Sequence, residues 1–139
     1  MCVQFNGIDC QPNNPNWCCA VGEADSDSPA PGARIHCTQD GGASWNRTFY
    51  AAGTSSAGYS LMEIAYATDN DVWALGGELG VLSASAWFLY SGDGGLTWNH
   101  GVPPMSGYLG LGLSFVDATH AFAALDNTLT QSAAIAAYE

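Results

Sequence analysis

The residues of this chain that could carry chemistry are thirteen acids, three histidines, two arginines and five cysteines. Two carboxylates facing each other across a sugar would serve glycoside hydrolysis, and Glu63, Asp69, Asp71 and Glu78 are the candidates. Asp69 and Asp71 fall in the turn cluster "ATDND" and read as solvated turn acids. His36, His100 and His120 have no Cys or Ser partner at motif spacing, so a nucleophilic triad has no support, and His36 reads as facing outward. The clusters "DSDS" (25–28) and "DND" (69–71) loosely suggest a calcium loop. Neither continues into the Gly and distal Glu that such a loop needs. No metal and no cofactor is expected.

Cys2, Cys10, Cys18, Cys19 and Cys37 all stand in the first third of the chain. Their spacing fits the paired Cys-x2–4-Cys pattern of a zinc site poorly, which leaves disulfides or buried thiols. Strands joined through "QPNNPN" would bring Cys10 to Cys18 or to Cys19, with Cys37 on the next strand as the other candidate partner. An odd count leaves at least one thiol unpaired or bonded to another chain.

The elements that must position these groups follow from composition and pattern. A chain of 139 residues is one domain in size, and 47 % hydrophobic residues supply a core. Two arginines (Arg34, Arg47) and no lysine give a net charge of −11, which repels nucleic acid and anionic lipid. Both arginines read as solvated strand ends. The start "MCVQFNGIDC" lacks the basic and apolar regions of a signal peptide, which leaves cytosolic residence or a start that is not the true N-terminus. The longest apolar tract is interrupted by Asp117 and His120, so no direct membrane insertion is expected.

The chain repeats itself. "CTQDGGASWN" (37–46) and "YSGDGGLTWN" (90–99) share one phrase, with their aspartates 53 residues apart. Upstream, "WCCAVGEA" (17–24) matches "DVWALGGE" (71–78), and "IDC" (8–10) matches "IAY" (64–66). A third copy begins at "LSFVDATHAFAAL" (113–125), where Phe115 and Phe122 stand at the positions of Tyr66 and Trp73. No segment shows a capped 3.6-residue period, and "SLMEIAYA" (60–67) reads as a strand. The unit is therefore a four-stranded antiparallel meander of the size of a propeller blade. The fold class is all-β, with blades over 4–52 and 60–104 and an incomplete blade over 108–139. About two and a half blades make a partial propeller, and further blades beyond these residues are expected.

The repeated phrase lies between the third and fourth strands of each unit. Asp40 or Asp93 accepts backbone N–H bonds and closes the turn, and Gly42 or Gly95 supplies a backbone conformation closed to other residues. Ser44 or Thr97 bonds back to the aspartate, and Trp45 or Trp98 packs under the turn. With Thr38 and Ser91 at the head of each phrase, this is punctuation of the fold rather than a ligand site.

The phrase resembles the Asp-box of the bacterial neuraminidase repeat, Ser/Thr-x-Asp-x-Gly-x-Ser/Thr-Trp. The resemblance implies a β-propeller. "DVWALGG" with "LYSGDGGLTW", and "SFVDATHAFAAL", are most similar to the thylakoid-lumen photosystem II assembly and stability propellers. Sortilin- and sialidase-type propellers are more distant. Sialidases hold their substrate carboxylate with three arginines, a set that Arg34 and Arg47 cannot complete. The resemblance thus implies a non-catalytic scaffold that binds or stabilises a protein complex, with protein partners or further blades of the same chain covering its faces. The alternative is a fragment of a secreted carbohydrate-binding or glycoside-hydrolase propeller, with carbohydrate as partner. Asn46 heads the N-glycosylation triplet "NRT". With the cysteines it suggests an extracytoplasmic setting, secreted or in a thylakoid lumen.

Overall fold

The computed structural model describes residues 3–24, 28–53, 57–80, 84–127 and 130–138. These residues form three antiparallel sheets, each a meander in sequence order. The first sheet holds β1 (Val3–Gln11), β2 (Asn14–Ala24), β3 (Gly32–Thr38) and β4 (Asn46–Ala52). The second holds β5 (Ala57–Tyr66), β6 (Val72–Gly80), β7 (Ala84–Ser91) and β8 (Asn99–Ser106). The third holds β9 (Leu109–Asp117), β10 (His120–Asn127) and β11 (Ser132–Tyr138). The all-β expectation holds.

A strand alternates its side chains between two faces, and this decides how the sheets stack. On the first sheet Cys19, Val21, Ile35 and Cys37 share one face and bury against Leu61, Ile64, Tyr66, Val72 and Leu89 of the second. The opposite face of the second sheet gives Leu75 and Ala86, with Phe88, to a separate core with Ala123 and Leu125 of the third. The middle sheet is thus apolar on both sides, and β5 lies across the first three strands of its neighbour. Each fully buried Leu or Ile in these cores contributes roughly 1.5–3 kcal/mol.

The repeat is visible in the backbone. The first strand of every sheet carries a bulged residue at the same repeat position, Asn6 in β1, Met62 in β5 and Leu111 in β9, and β9 has a second at Val116. Opposite the first two bulges stand Gly22 and Gly76. A Cβ at Gly22 would lie 1.9 Å from the Gln4 carbonyl oxygen, and one at Gly76 would lie 2.2 Å from that of Ser60. Glycine is required there by the closeness of the neighbouring backbone.

Two disulfides cross-link the first sheet, Cys10–Cys18 and Cys19–Cys37. Cys10 lies directly opposite Cys18 in the β1–β2 register, and Cys19 directly opposite Cys37 in the β2–β3 register. Because Cys18 and Cys19 are adjacent, they point to opposite faces, and one strand is stapled to both neighbours. Cys2, the fifth cysteine, lies outside the described residues.

The two bridges differ in access. Cys19 and Cys37 are buried in the main core, whereas Cys10 is half-buried on the open face of the sheet. Mild reduction of the native protein should open Cys10–Cys18 first, read by stepwise alkylation and intact mass. Replacing Cys19 and Cys37 by Ser should cost about 3 kcal/mol in a urea melt. Four thiols freely alkylated without reductant would contradict this pairing.

Candidate functional site: the Asp turns and the open face of the first sheet

The two Asp phrases fold into the same hydrogen-bond pattern. Thr38 Oγ1 donates to Asp40 Oδ1 at 2.7 Å, and Ser91 Oγ donates to Asp93 Oδ1 at 2.7 Å. The same hydroxyl oxygens accept the amides of Gly42 and Gly95, both at 2.9 Å. Asp40 then accepts the Ser44 amide at 2.9 Å and hydroxyl at 2.6 Å. Asp93 accepts the Thr97 amide and hydroxyl at 2.9 and 2.6 Å, and the Leu96 amide at 3.0 Å. Gly42 and Gly95 have φ of 92° and 100°, and Gly41 and Gly94 before them are also left-handed. Both carboxylates are thus turned into their own loops. The part played by Thr38 and Ser91, buried acceptors of a glycine amide, is not legible from residue spacing.

These bonds lower the pKa of each carboxyl. At Asp40 the Ser44 hydroxyl and amide and the Thr38 hydroxyl hold the carboxyl at about 2. At Asp93 burial alone would raise it, but bonds from Thr97, Ser91 and Leu96 outweigh burial and hold it at about 2. Asp117, in the β9–β10 turn, is held at about 2 by the Thr119 amide and the His120 and Thr119 side chains.

The turns differ in surroundings. The second presses into the junction between the first two sheets: the Gly94 carbonyl accepts Tyr66 Oη at 2.8 Å, and the Gly95 carbonyl accepts Trp98 Nε1 at 2.9 Å. Trp98 Nε1 also reaches Thr48 Oγ1 of the first sheet at 3.1 Å. The first turn has no such cover. Trp45 does not pack under it but stays 39 % exposed beside Gly42, because no described sheet lies over that side. Asn46, head of the glycosylation triplet, is exposed at the start of β4.

The turn acids do more than face water, contrary to expectation. Asp69 accepts the backbone and side-chain amides of Asn13 at 2.9 and 3.2 Å, which ties the second sheet to the first. Asp71 accepts Tyr90 Oη at 2.5 Å and Thr68 Oγ1 at 2.8 Å. Asp9 accepts the Tyr66 amide at 2.8 Å, and Glu23 accepts Ser60 Oγ at 2.8 Å. Of the "DSDS" cluster, residues 25–27 lie outside the described residues.

Arg34 is a second correction. It is not a solvated strand end: only 7 % of it is exposed. It lies on the face of the first sheet turned away from the second, where a guanidinium nitrogen donates to the Ala30 carbonyl and Nε has no partner among the described residues. The Arg34 and Arg47 guanidinium groups lie 5.8 and 4.6 Å from the Tyr50 ring centre, a cation–π arrangement. His36 shares this face, half-buried with its ring edge-on to Phe5 at 5.5 Å. Burial, then Arg34 and Arg47, hold its pKa below the ordinary histidine value. Arg34, His36 and Phe5, with Ile8, Ala20 and Trp45, line an open groove of about 710 Å³.

No protein-family model matches this chain, and no curated protein matches it significantly. The described residues form a stack of three antiparallel β-meanders, two of them closed by the same Asp-centred turn.

The unequal burial of the turns gives a graded expectation. An alanine Cβ at Gly95 would sit 2.5 Å from Cys19 Sγ and 3.1 Å from Cys37 Sγ, whereas at Gly42 the nearest atom is Trp45 Nε1 at 3.7 Å. Gly42→Ala should cost about 1–2 kcal/mol from its left-handed backbone alone, and Gly95→Ala clearly more, in paired urea melts.

Acid should act on the same turns. Because the folded aspartates lie below the ordinary value of about 3.9, the stability they contribute is full above roughly pH 4 and lost as pH falls through about 2. Melting temperature should hold steady down to about pH 4 and decline from there through about pH 2, with a shallower decline in Asp93→Asn.

Proposed function

We propose that this chain builds Asp-box propeller blades and works as a non-catalytic scaffold that binds or stabilises a protein complex in an extracytoplasmic, oxidising compartment. The observation that carries the reading is the doubled turn: two phrases with the same donors on the same acceptors, each joining the third and fourth strands of its sheet. A turn whose carboxylate is held by its own loop is built to place strands, and both oxygens of each carboxylate already accept bonds from that loop. Asp9, Glu23, Asp69 and Asp71 likewise accept bonds from the protein.

The face-to-face stacking of the sheets supports the propeller reading, since propeller blades bury their faces on one another. Two disulfides within one small sheet favour an oxidising compartment, secreted or lumenal, over the reducing cytosol. The resemblance to photosystem assembly propellers gives the scaffold reading its direction, and the net charge of −11 disfavours nucleic acid as the partner.

Catalysis is the competing reading and is cheaply tested. Incubated with a panel of nitrophenyl glycosides that includes the sialoside, the protein should release no nitrophenol above buffer. Turnover that tracks the purified protein and disappears in Glu63→Gln or Glu78→Gln would overturn the scaffold reading in favour of a glycosidase.

A further inference from the structure

The triplet Asn46–Arg47–Thr48 lies at the start of β4, where the two repeat units differ. In the β3–β4 register Thr48 is bulged, between the pair of His36 with Arg47 and the pair of Ile35 with Phe49. In the second sheet Gly101 is bulged at the same repeat position. A Cβ at Gly101 would lie 2.3 Å from the Trp73 ring, so the second unit has no space there for a threonine. In the first unit Cys19 stands where Trp73 stands, and the small disulfide leaves room for the Thr48 side chain. A threonine two residues after the asparagine thus fits in the unit that carries the inner bridge and not in the other.

The two ends of the triplet have opposite surroundings. Asn46 is exposed, and its side chain bonds to no other group among the described residues. It lies opposite Cys37 in the register, on the side of the sheet turned to the second sheet, so its exposure does not depend on what covers the other face. Thr48 is half-buried at the seat of the second Asp turn. Its Oγ1 accepts Trp98 Nε1 at 3.1 Å and donates to Cys37 Sγ at 3.5 Å. Glycan transfer needs both ends, because the asparagine supplies the nitrogen and the hydroxyl two residues on is what the transferase recognises.

We infer that Asn46 carries an N-linked glycan, added before the second Asp turn seats on the Cys19–Cys37 bridge, since seating takes the Thr48 hydroxyl away. The inference rests on the extracytoplasmic reading above. The donor is a lipid-linked oligosaccharide diphosphate. The Asn46 amide nitrogen bonds to the anomeric carbon of the first sugar, and the bond from that carbon to the diphosphate oxygen breaks. One proton passes from the nitrogen to a base of the transferase. Asn46 is exposed, so the finished glycan displaces no packed group.

The chain, directed into the endoplasmic reticulum of cultured cells by an added leader, should be recovered with extra mass that an amidase specific for N-linked glycans removes. Asn46→Gln should lose that mass and leave the urea midpoint of the deglycosylated protein unchanged. The order of events is read with microsomal transferase and its lipid-linked donor: the reduced, unfolded chain should be glycosylated and the oxidised, folded chain should not. Cys37→Ser keeps the triplet, removes the bridge and should raise the glycosylated share in cells. No extra mass on the chain from the secretory compartment, amidase-sensitive mass that survives Asn46→Gln, or transfer to the folded chain as fast as to the unfolded one would each overturn the inference. Disulfide mapping of the same sample keeps it apart from the compartment reading. Both bridges formed with Asn46 bare removes only the glycan, whereas Cys10, Cys18, Cys19 and Cys37 all free in the folded chain removes the oxidising-compartment reading beneath it.

Discussion

The contact on which the structure depends is the seating of the second Asp turn against the Cys19–Cys37 bridge. There the Gly94–Gly95 backbone comes within van der Waals reach of the two sulfurs, and Tyr66, whose amide is held by Asp9 of the first sheet, donates its hydroxyl to the Gly94 carbonyl. Burial and the nearby Asp9 carboxylate keep that hydroxyl protonated far above any ordinary pH. Three kinds of constraint meet at one place: a covalent staple that fixes the first sheet, a turn that fixes the second, and a buried hydrogen bond between them. A buried polar group gains little when satisfied and costs more when orphaned. Loss of any partner at this junction therefore disturbs the other two.

The same local motif has acquired two tertiary roles. Both turns are closed by bonds reaching no further than four residues along the chain, and so both form wherever the phrase is written. What lies over them depends on the stacking order. The second turn belongs to a sheet with neighbours on both faces and becomes part of a core. The first belongs to a sheet with one covered face, and Trp45 is left beside open space.

This division also explains what could be read from the sequence. The Asp turns were legible because their bonds are local, and the meander because apolar alternation and glycine punctuation are local too. The adjacency of Cys18 and Cys19 already implied opposite faces. The pairing itself needed the register, which places Cys10 against Cys18 only because the β1 bulge at Asn6 lies well before it. Long-range roles were not legible. Asp69 looked like a solvated turn acid because its partner Asn13 is 56 residues away. Arg34 looked like a solvated strand end because its cover comes from the loop before β3 and from Tyr50 on β4.

The repeat positions of the inner disulfide carry the last physical step. Cys19 and Cys37 correspond in the repeat to Trp73 and Tyr90 of the second sheet, whose rings pack 4.9 Å apart across the same pair of strands. One unit thus joins its second and third strands by a covalent bond where the other uses an aromatic pair. The choice follows from what must fit above. Over the sulfurs lies the backbone of a turn with no side chains at Gly94 and Gly95, and a Cβ there would already collide. Two indole- or phenol-sized rings at Cys19 and Cys37 would hold the turn away and break the Tyr66 bond. Over Trp73 lies instead the ring of Tyr138 in the third sheet, 5.2 Å away, so at this point the contact between those sheets is aromatic. The first interface is close because its cross-strand link is small, and the disulfide is what allows so small a link to be strong.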